Sequence, residues 1–309
     1  MRDTVSVVVP TRDRASLLRR AVLSALAQTA PPLEVIIVDD ASTDDTPDAA
    51  ARLAQEDPRV RTLTVPEAAG AAAARNRGVA VARGDWVALL DDDDEWLPEK
   101  LALQLHAAAA AGDRVGLVHG GFEEVAADGS CVRGGLVSGG PERLRRLLVR
   151  GNRIGHSTVI VRRALLLECG GYDERLPRLQ DWDLWLRLAA RTGVAHVGRV
   201  VARIHRGPVA ISADPARLVV AARLLAEKHA AGPGAAGLTP GEQADLLLTL
   251  GRLLTRAGQE GAAAPFLRRA AVAWPWSPRR ALAATLLERA PALFDRAEIL
   301  AARFAGGAR

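Results

Sequence analysis

The chain has 309 residues, 49% hydrophobic and 25% charged, with a formal net charge of +5, the make-up of a soluble globular protein with a sizeable core. This excludes collagen-like, disordered and disulfide-built chains, since two cysteines, Cys131 and Cys169, make no covalent framework. No apolar run reaches the ~18–20 residues of a membrane span, and the first ten residues lack the basic start of a signal peptide, so a cytoplasmic location with reduced thiols is expected.

Val5 to Val9 is a β-branched run closed by Pro10, after which Leu18, Val22, Ala25 and Leu26 recur at helical spacing. Glu34 to Val38 repeats the strand signal, and Ser42 or Thr43 is placed to cap a helix running through Leu53. A third strand over Val60 to Val65 leads to an Ala-rich helix from about Ala68 to Arg83. A fourth, Trp86 to Leu90, ends in Asp91-Asp92-Asp93-Asp94. Near-continuous apolar strands separated by helices predict a parallel sheet covered on both faces, in which ligands sit at the carboxyl ends of strands. Asp39-Asp40 and Asp91 to Asp94 both fall at such ends and are expected to face one crevice.

After Leu117 the pattern changes. Phe122 to Val125 and Cys131 to Val137 flank the turn signal Asp128-Gly129, Ser157 to Val161 reads as a strand, Asp181 to Ala190 as an amphipathic helix, and Val194 to His205 as a final strand or two. From about Pro215 the chain is rich in Ala, Leu and Arg and reads as all helical. Its breaks fall at Gly232-Pro233-Gly234, Gly258 and Pro275 to Pro278, and Gly251 to Arg280 is readable as one helical hairpin. Residues 1–200 hold 26 Lys and Arg against 28 Asp and Glu, whereas residues 201–309 hold 15 against 8. That last third has no zinc-finger cysteines and no aromatic-rich basic stripe, which argues against nucleic acid as the use of the excess. The excess suits a solvated helical face, an acidic partner or an anionic membrane surface.

Four successive carboxylates behind a buried strand repel one another unless something neutralises them. A divalent cation, Mg²⁺ or Mn²⁺, suits their hard oxygens and leaves positions open for phosphate oxygens. The alternative is a solvated loop leading into the next helix, with Pro98 in its first turn. Asp39 and Asp40 either accept hydrogen bonds from a base or ribose or start the turn at Ser42. Thr11-Arg12-Asp13-Arg14 stands where a dinucleotide fold carries its Gly-rich loop, which argues against a dinucleotide cofactor.

Six segments occur in order: Val5 to Arg14 (VSVVVPTRDR), Glu34 to Thr43 (EVIIVDDAST), Ala74 to Gly78 (ARNRG), Gly84 to Trp96 (GDWVALLDDDDEW), Gly170 to Glu174 (GGYDE) and Gln180 to Leu188 (QDWDLWLRL). Together they resemble family 2 glycosyltransferases of the GT-A fold, over about the first 210 residues. The resemblance implies an α/β, Rossmann-like mixed sheet sandwiched by helices, a nucleotide-diphospho-sugar donor, a divalent metal, and transfer with inversion to a hydroxyl of a glycan, lipid-linked or other acceptor. Pro10 and Thr11 would line the nucleoside pocket, Asp39 and Asp40 would hold base and ribose, and Arg75 and Asp92 would lie at the donor, Arg75 alternatively facing solvent. Asp91 and Asp93 would hold the metal, and Asp181 would be the general base, with Gln180 standing where the family commonly has Glu. His205 either reaches the diphosphate or metal or lies on the surface, and Trp182 or Trp185 lines the acceptor cleft or belongs to the core. The expected organisation is a catalytic domain over 1–214, with a nucleotide-binding half 1–97 and an acceptor half 98–214, and a helical extension over 215–309. A noncatalytic nucleotide-sugar or glycan-binding module, or a membrane-surface docking protein on the same fold, is the competing reading. Retention of Asp93 and Asp181 speaks against it.

Overall fold

The computed structural model describes residues 3–126, 128–135, 141–205, 214–231 and 237–273. In chain order the first elements are β1 (Val5–Thr11), α1 (Ala15–Leu26), β2 (Glu34–Asp39), α2 (Thr46–Glu56), β3 (Val60–Thr64), α3 (Ala71–Val81) and β4 (Trp86–Leu89). There follow β5 (Glu95–Trp96), α4 (Lys100–Ala111), β6 (Val115–Val125), β7 (Cys131–Gly134), α5 (Pro141–Leu148), β8 (Ile160–Arg162), α6 (Arg163–Glu168), α7 (Gln180–Ala189) and β9 (Gly193–His205). The last are α8 (Pro215–Ala230), α9 (Pro240–Arg256) and α10 (Glu260–Ala273).

The described strands form one sheet in the order β3-β2-β1-β4-β8-β6-β9-β5, with β7 hydrogen-bonded to β6. β3, β2, β1 and β4 run parallel, β8 is antiparallel to β4 and β6, β9 is parallel to β6, and β5 is antiparallel to β9. The sheet is therefore mixed. β1, β2 and β4 are buried at every residue, because a central strand covered on both faces buries both rows of its side chains. Val7 and Val9 share a core with Leu18, Ala21, Val22 and Ala25 of α1. On the opposite face α3 approaches so closely that a Cβ on Gly78 would stand 2.5 Å from Val8 Cγ1 and 3.0 Å from Val38 Cγ2. Thr11 pairs with Asp39, and Asp39 with Thr64, so the carboxyl ends of the parallel strands align along one edge. The Asp91–Asp94 turn follows β4 at that same edge.

Several boundaries differ from expectation. α2 begins at Thr46, because the Ser42 and Thr43 side chains bond to Asp39 and Asp13 instead of capping a helix. β6 begins at Val115, well before Phe122, and Ser157 lies in a 3₁₀ turn ahead of β8. α4 starts at Lys100, so Pro98 precedes the helix and does not occupy its first turn. β5, α5 and α6 were not expected. The breaks at 232–234 and 275–278 and the end of the strand expected to reach Val137 lie outside the described residues.

The chain divides into two compact units, residues 1–148 with 152–176 and 180–210, and residues 149–151 with 177–179 and 211–309. In the second, Asp214 accepts the Ala216 N–H at the start of α8, and Thr239 and Glu242 form a reciprocal capping box on α9. α9 ends at Arg256, two residues before Gly258, whose φ of 69° suits the residue that follows a helix end, and α10 packs alongside α9. The hairpin expected over Gly251 to Arg280 begins earlier, at Pro240, and residues 274–280 lie outside the described residues. Among the described residues no helix is long and apolar enough to cross a membrane.

Candidate active site

The loops after β1 and β2 are tied together. Asp13 Oδ1 accepts the Thr43 N–H at 2.7 Å, the Asp13 N–H donates to Ser42 Oγ at 2.9 Å, and Ser42 Oγ donates to Asp39 Oδ1. Asp13 and Ala41 take φ values of 51° and 55°, left-handed backbone fixed by this lattice of bonds. Pro10 and Thr11 are buried at the strand end. Asp40, expected at the base and ribose, has both oxygens engaged in closing the turn into α3, accepting the N–H groups of Ala69 (2.9 Å) and Gly70 (2.8 Å). Asp39 differs: its Oδ2 is buried and has no hydrogen-bond partner among the described residues. A buried carboxylate oxygen without a donor can accept an N–H or O–H from water or a ligand.

In the acidic run the repulsion expected from sequence is relieved largely by arginine. Arg14 Nη1 donates to Asp92 Oδ1 at 2.8 Å and to Asp93 Oδ2 at 2.7 Å, and Arg20 donates to the Asp93 carbonyl. Burial pushes the Asp92 carboxyl up to about 6, against the opposing pull of Arg14. Expected at the donor, Asp92 is instead folded onto Arg14 and is only 5% exposed. Burial, with the charge of Asp91, also pushes Asp94 well above the carboxylate range, while it accepts the Ser157 hydroxyl and the His205 N–H. Asp91 accepts Arg75 Nη2 at 2.7 Å and lies 3.1 Å from His156 Nδ1. Burial alone would raise Asp91, but His156 and Arg75 outweigh it and hold the group well below the usual carboxylate range. His156 Nε2 in turn meets the Tyr172 hydroxyl at 2.8 Å.

The same Arg75 reaches α7, its Nη1 donating to Gln180 Oε1 at 3.1 Å, while Gln180 Nε2 donates to the Leu176 carbonyl. Beside it, Asp181 Oδ1 accepts the Trp182 N–H at 2.8 Å and Oδ2 accepts Asn152 Nδ2 at 2.6 Å. Arg75, far from facing solvent, thus joins the acidic run to the start of α7. Trp182 and Trp185 are fully buried, and the Trp182 indole donates to the Leu148 carbonyl. Neither ring offers a face to an acceptor, because α7 turns its apolar side into the core. The His205 imidazole faces Glu95 at 3.6 Å.

Among the described residues no group of three or more His, Cys, Asp or Glu side chains is arranged to hold a metal, so His205 does not complete a set with Asp91 and Asp93. Those two are part-exposed, at 29 and 32%. As hard oxygen donors they fit a Mg²⁺ or Mn²⁺ ion whose remaining positions a ligand fills. Asn152 and His156 carry no local signal of a site. Arg14 and Tyr172 stand within segments that carried the resemblance, Val5 to Arg14 and Gly170 to Glu174, without being singled out there.

An α/β sheet whose acidic strand ends converge with a carboxylate on a late helix defines a GT-A type of protein. The sequence pattern of the family described as Glycosyl transferase family 2 matches residues 6–163, half of the chain, and the chain belongs to that family. It is 39% identical over 129 residues to the succinoglycan biosynthesis protein ExoO of Rhizobium meliloti strain 1021, covering 42% of this chain and 36% of that one, so it spans about a third of this curated relative's length. It is 29% identical over 212 residues to WfaP of Escherichia coli, a UDP-Glc:alpha-D-GlcNAc-diphosphoundecaprenol beta-1,3-glucosyltransferase, covering 67% of this chain and 80% of that one. Among solved structures it resembles S. aureus TarS 1–349 in complex with UDP-GlcNAc, with TM-score 0.65, 18% identity and coverage of 86 and 81%. It also resembles the mannosyltransferase PcManGT of Pyrobaculum calidifontis in complex with GDP-Man and Mn²⁺, with TM-score 0.58, 23% identity and coverage of 93 and 87%. These two likenesses establish the fold.

Proposed function

We propose that the chain is an inverting glycosyltransferase that moves a sugar from a nucleoside-diphosphate donor to a hydroxyl of a polysaccharide or cell-envelope glycan, lipid-linked acceptors included. The observation that carries this reading is the Arg75 guanidinium, bonded to Asp91 on one side and to Gln180, the neighbour of Asp181, on the other. An acidic strand end and a helix-borne carboxylate brought to one guanidinium support a donor site beside a base. The donors and acceptor named for WfaP, TarS and PcManGT support the same substrate class.

In this reading Asp39 Oδ2 accepts a hydrogen bond from the base or ribose, and Arg75 and Arg14 place positive charge near the diphosphate. Asp91 and Asp93 would hold a divalent cation, which supplies charge neutralisation for the leaving diphosphate. Asp181 takes the proton of the acceptor hydroxyl as that oxygen bonds to the anomeric carbon. The bond from the anomeric carbon to the phosphate oxygen breaks, and the nucleoside diphosphate leaves with the electron pair. One base on the face opposite the leaving group accounts for inversion without a covalent intermediate. Residues 1–214 form the catalytic region in this proposal and 215–309 its helical extension.

The test is calorimetric titration with UDP and GDP, each with Mn²⁺ and with chelator, on the wild type and on Asp93→Ala. Metal-dependent binding of one nucleotide that weakens at least about tenfold in the variant is expected, the size of a lost charge-assisted contact. Equal binding with chelator and in the variant would remove Asp93 from the metal site. Failure of both nucleotides to bind would move the reading to a glycan-binding module.

A further inference from the structure

Asp181 sits at the edge of the crevice on the first turn of α7, where a free carboxylate would sample several rotamers. Both of its oxygens are instead held. Oδ1 is fixed by the N–H of the next residue, Trp182, and Oδ2 by the side-chain amide of Asn152, 29 positions earlier in the chain, at 2.6 Å. The amide cannot turn over freely, since Asn152 Oδ1 itself accepts the Ile154 N–H at 3.3 Å. A second tether fixes the same pair of segments, for the Trp182 indole donates to the Leu148 carbonyl at 2.7 Å. Among the described residues Asn152 is the side chain that donates to Asp181, and it is neutral, whereas the neighbouring Arg75 bonds to Asp91 and Gln180.

We infer that Asn152 is a positioning residue for Asp181, holding its carboxylate turned toward the acceptor. A neutral N–H donor suits that task. It orients the carboxylate without cancelling its charge as an arginine partner would. Each carboxylate oxygen has two lone pairs, so Oδ2 still has one to receive the acceptor proton while the other accepts the amide. Asn152 precedes β8 in the half of the sheet that the donor residues do not occupy, so the base is aimed from the acceptor side. This inference rests on Asp181 being the base.

The test compares Asn152→Asp, an isostere that keeps the shape but presents an acceptor where the donor was, with Asn152→Ala and Asp181→Asn. Nucleoside diphosphate release is followed from UDP-glucose, UDP-GlcNAc and GDP-mannose with water as the acceptor, and donor binding is measured by calorimetry. Both Asn152 variants are expected to lose roughly tenfold to a hundredfold in kcat, with the donor KM within about twofold of wild type. In the side-chain amide region of a ¹⁵N–¹H spectrum, the Asn152 resonance, identified by its loss in Asn152→Asp, should move when Asp181 becomes Ala. A role confined to folding would lower thermal stability and the amount of active protein, leaving kcat per active site and the KM of survivors alike. Release abolished in Asp181→Asn but kept within about twofold in both Asn152 variants overturns the positioning role and leaves the base intact. Release retained in Asp181→Asn overturns the base, and the positioning role with it.

Discussion

Arg14 is where the electrostatics of the crevice concentrate. Asp92 is almost fully buried, and one nitrogen of Arg14 serves both it and Asp93. Removing that cation leaves a buried carboxyl without its counter-charge, which costs more than the pair itself contributes. Arg14→Ala should therefore lower stability by roughly 1–3 kcal/mol, and adding Asp92→Asn should restore part of the loss, as read from urea midpoints in a double-mutant cycle. Additive losses would mean that the two side chains are not coupled. The carboxylates were readable in sequence because strand ends and acidic runs are local patterns. Asp39, Asp91 and Asp93 stand at the carboxyl ends of the parallel strands, where the sequence pattern put them. Asp40 was not separable from Asp39 in that way, since what distinguishes them is the pair of N–H groups at Ala69 and Gly70, supplied by a loop some thirty positions away. Arg14, Asn152 and His156 were hidden for the same reason, each owing its role to a partner far along the chain.

At the level of elements, Glu34 joins four pieces of the first unit. It opens β2 fully buried and accepts Ser6 Oγ of β1 at 2.7 Å, Arg61 Nη1 of β3 at 2.6 Å, and the Arg83 N–H beyond the end of α3 at 2.8 Å. Burial alone would raise its pKa, but the bonds from Arg61, Ser6 and Arg83 prevail and hold it at about 2. A carboxyl lowered from 4.5 to about 2 on folding contributes stability that is complete above 4.5 and is lost as the pH falls toward 2. Glu34→Gln should thus lose roughly 1–3 kcal/mol at pH 7, and the gap from wild type should narrow between pH 4.5 and pH 2 in urea titrations. A gap that stays constant across that range would dissociate the group from the acid limb. The strands on either side of Glu34 were legible because Val7 to Val9 and Val35 to Val38 are unbroken apolar runs. β6 was read only from Phe122, since His119, Gly120 and Gly121 interrupt its first half. The helix α5, with the sequence PERLRRLL, shows only two turns of apolar spacing among four charges, too short to stand out from a loop.

Across the whole molecule the two units are built by different rules. The first depends on a sheet whose neighbours in space are far apart in sequence, whereas the second is made of helices that pack beside their neighbours in the chain, the arrangement that forms with least loop-closure cost. Gly251 marks the tightest point of the second. A Cβ there would lie 2.3 Å from Leu267 Cδ2 and 2.8 Å from its Cγ, so the absence of a side chain on α9 is what lets α10 come alongside. Leu267 is itself buried and has little room to retreat. Gly251→Val should accordingly open the α9–α10 pair by overpacking, raising amide exchange in both helices by roughly tenfold. Exchange in β1, β2 and β4 should stay at its wild-type rate, and calorimetric nucleotide binding should change by less than about twofold, since every residue placed in the crevice belongs to the first unit. If exchange in those strands rises in step with that in α9 and α10, the two units unfold as one cooperative body, and the helical extension stabilises the catalytic region instead of merely following it.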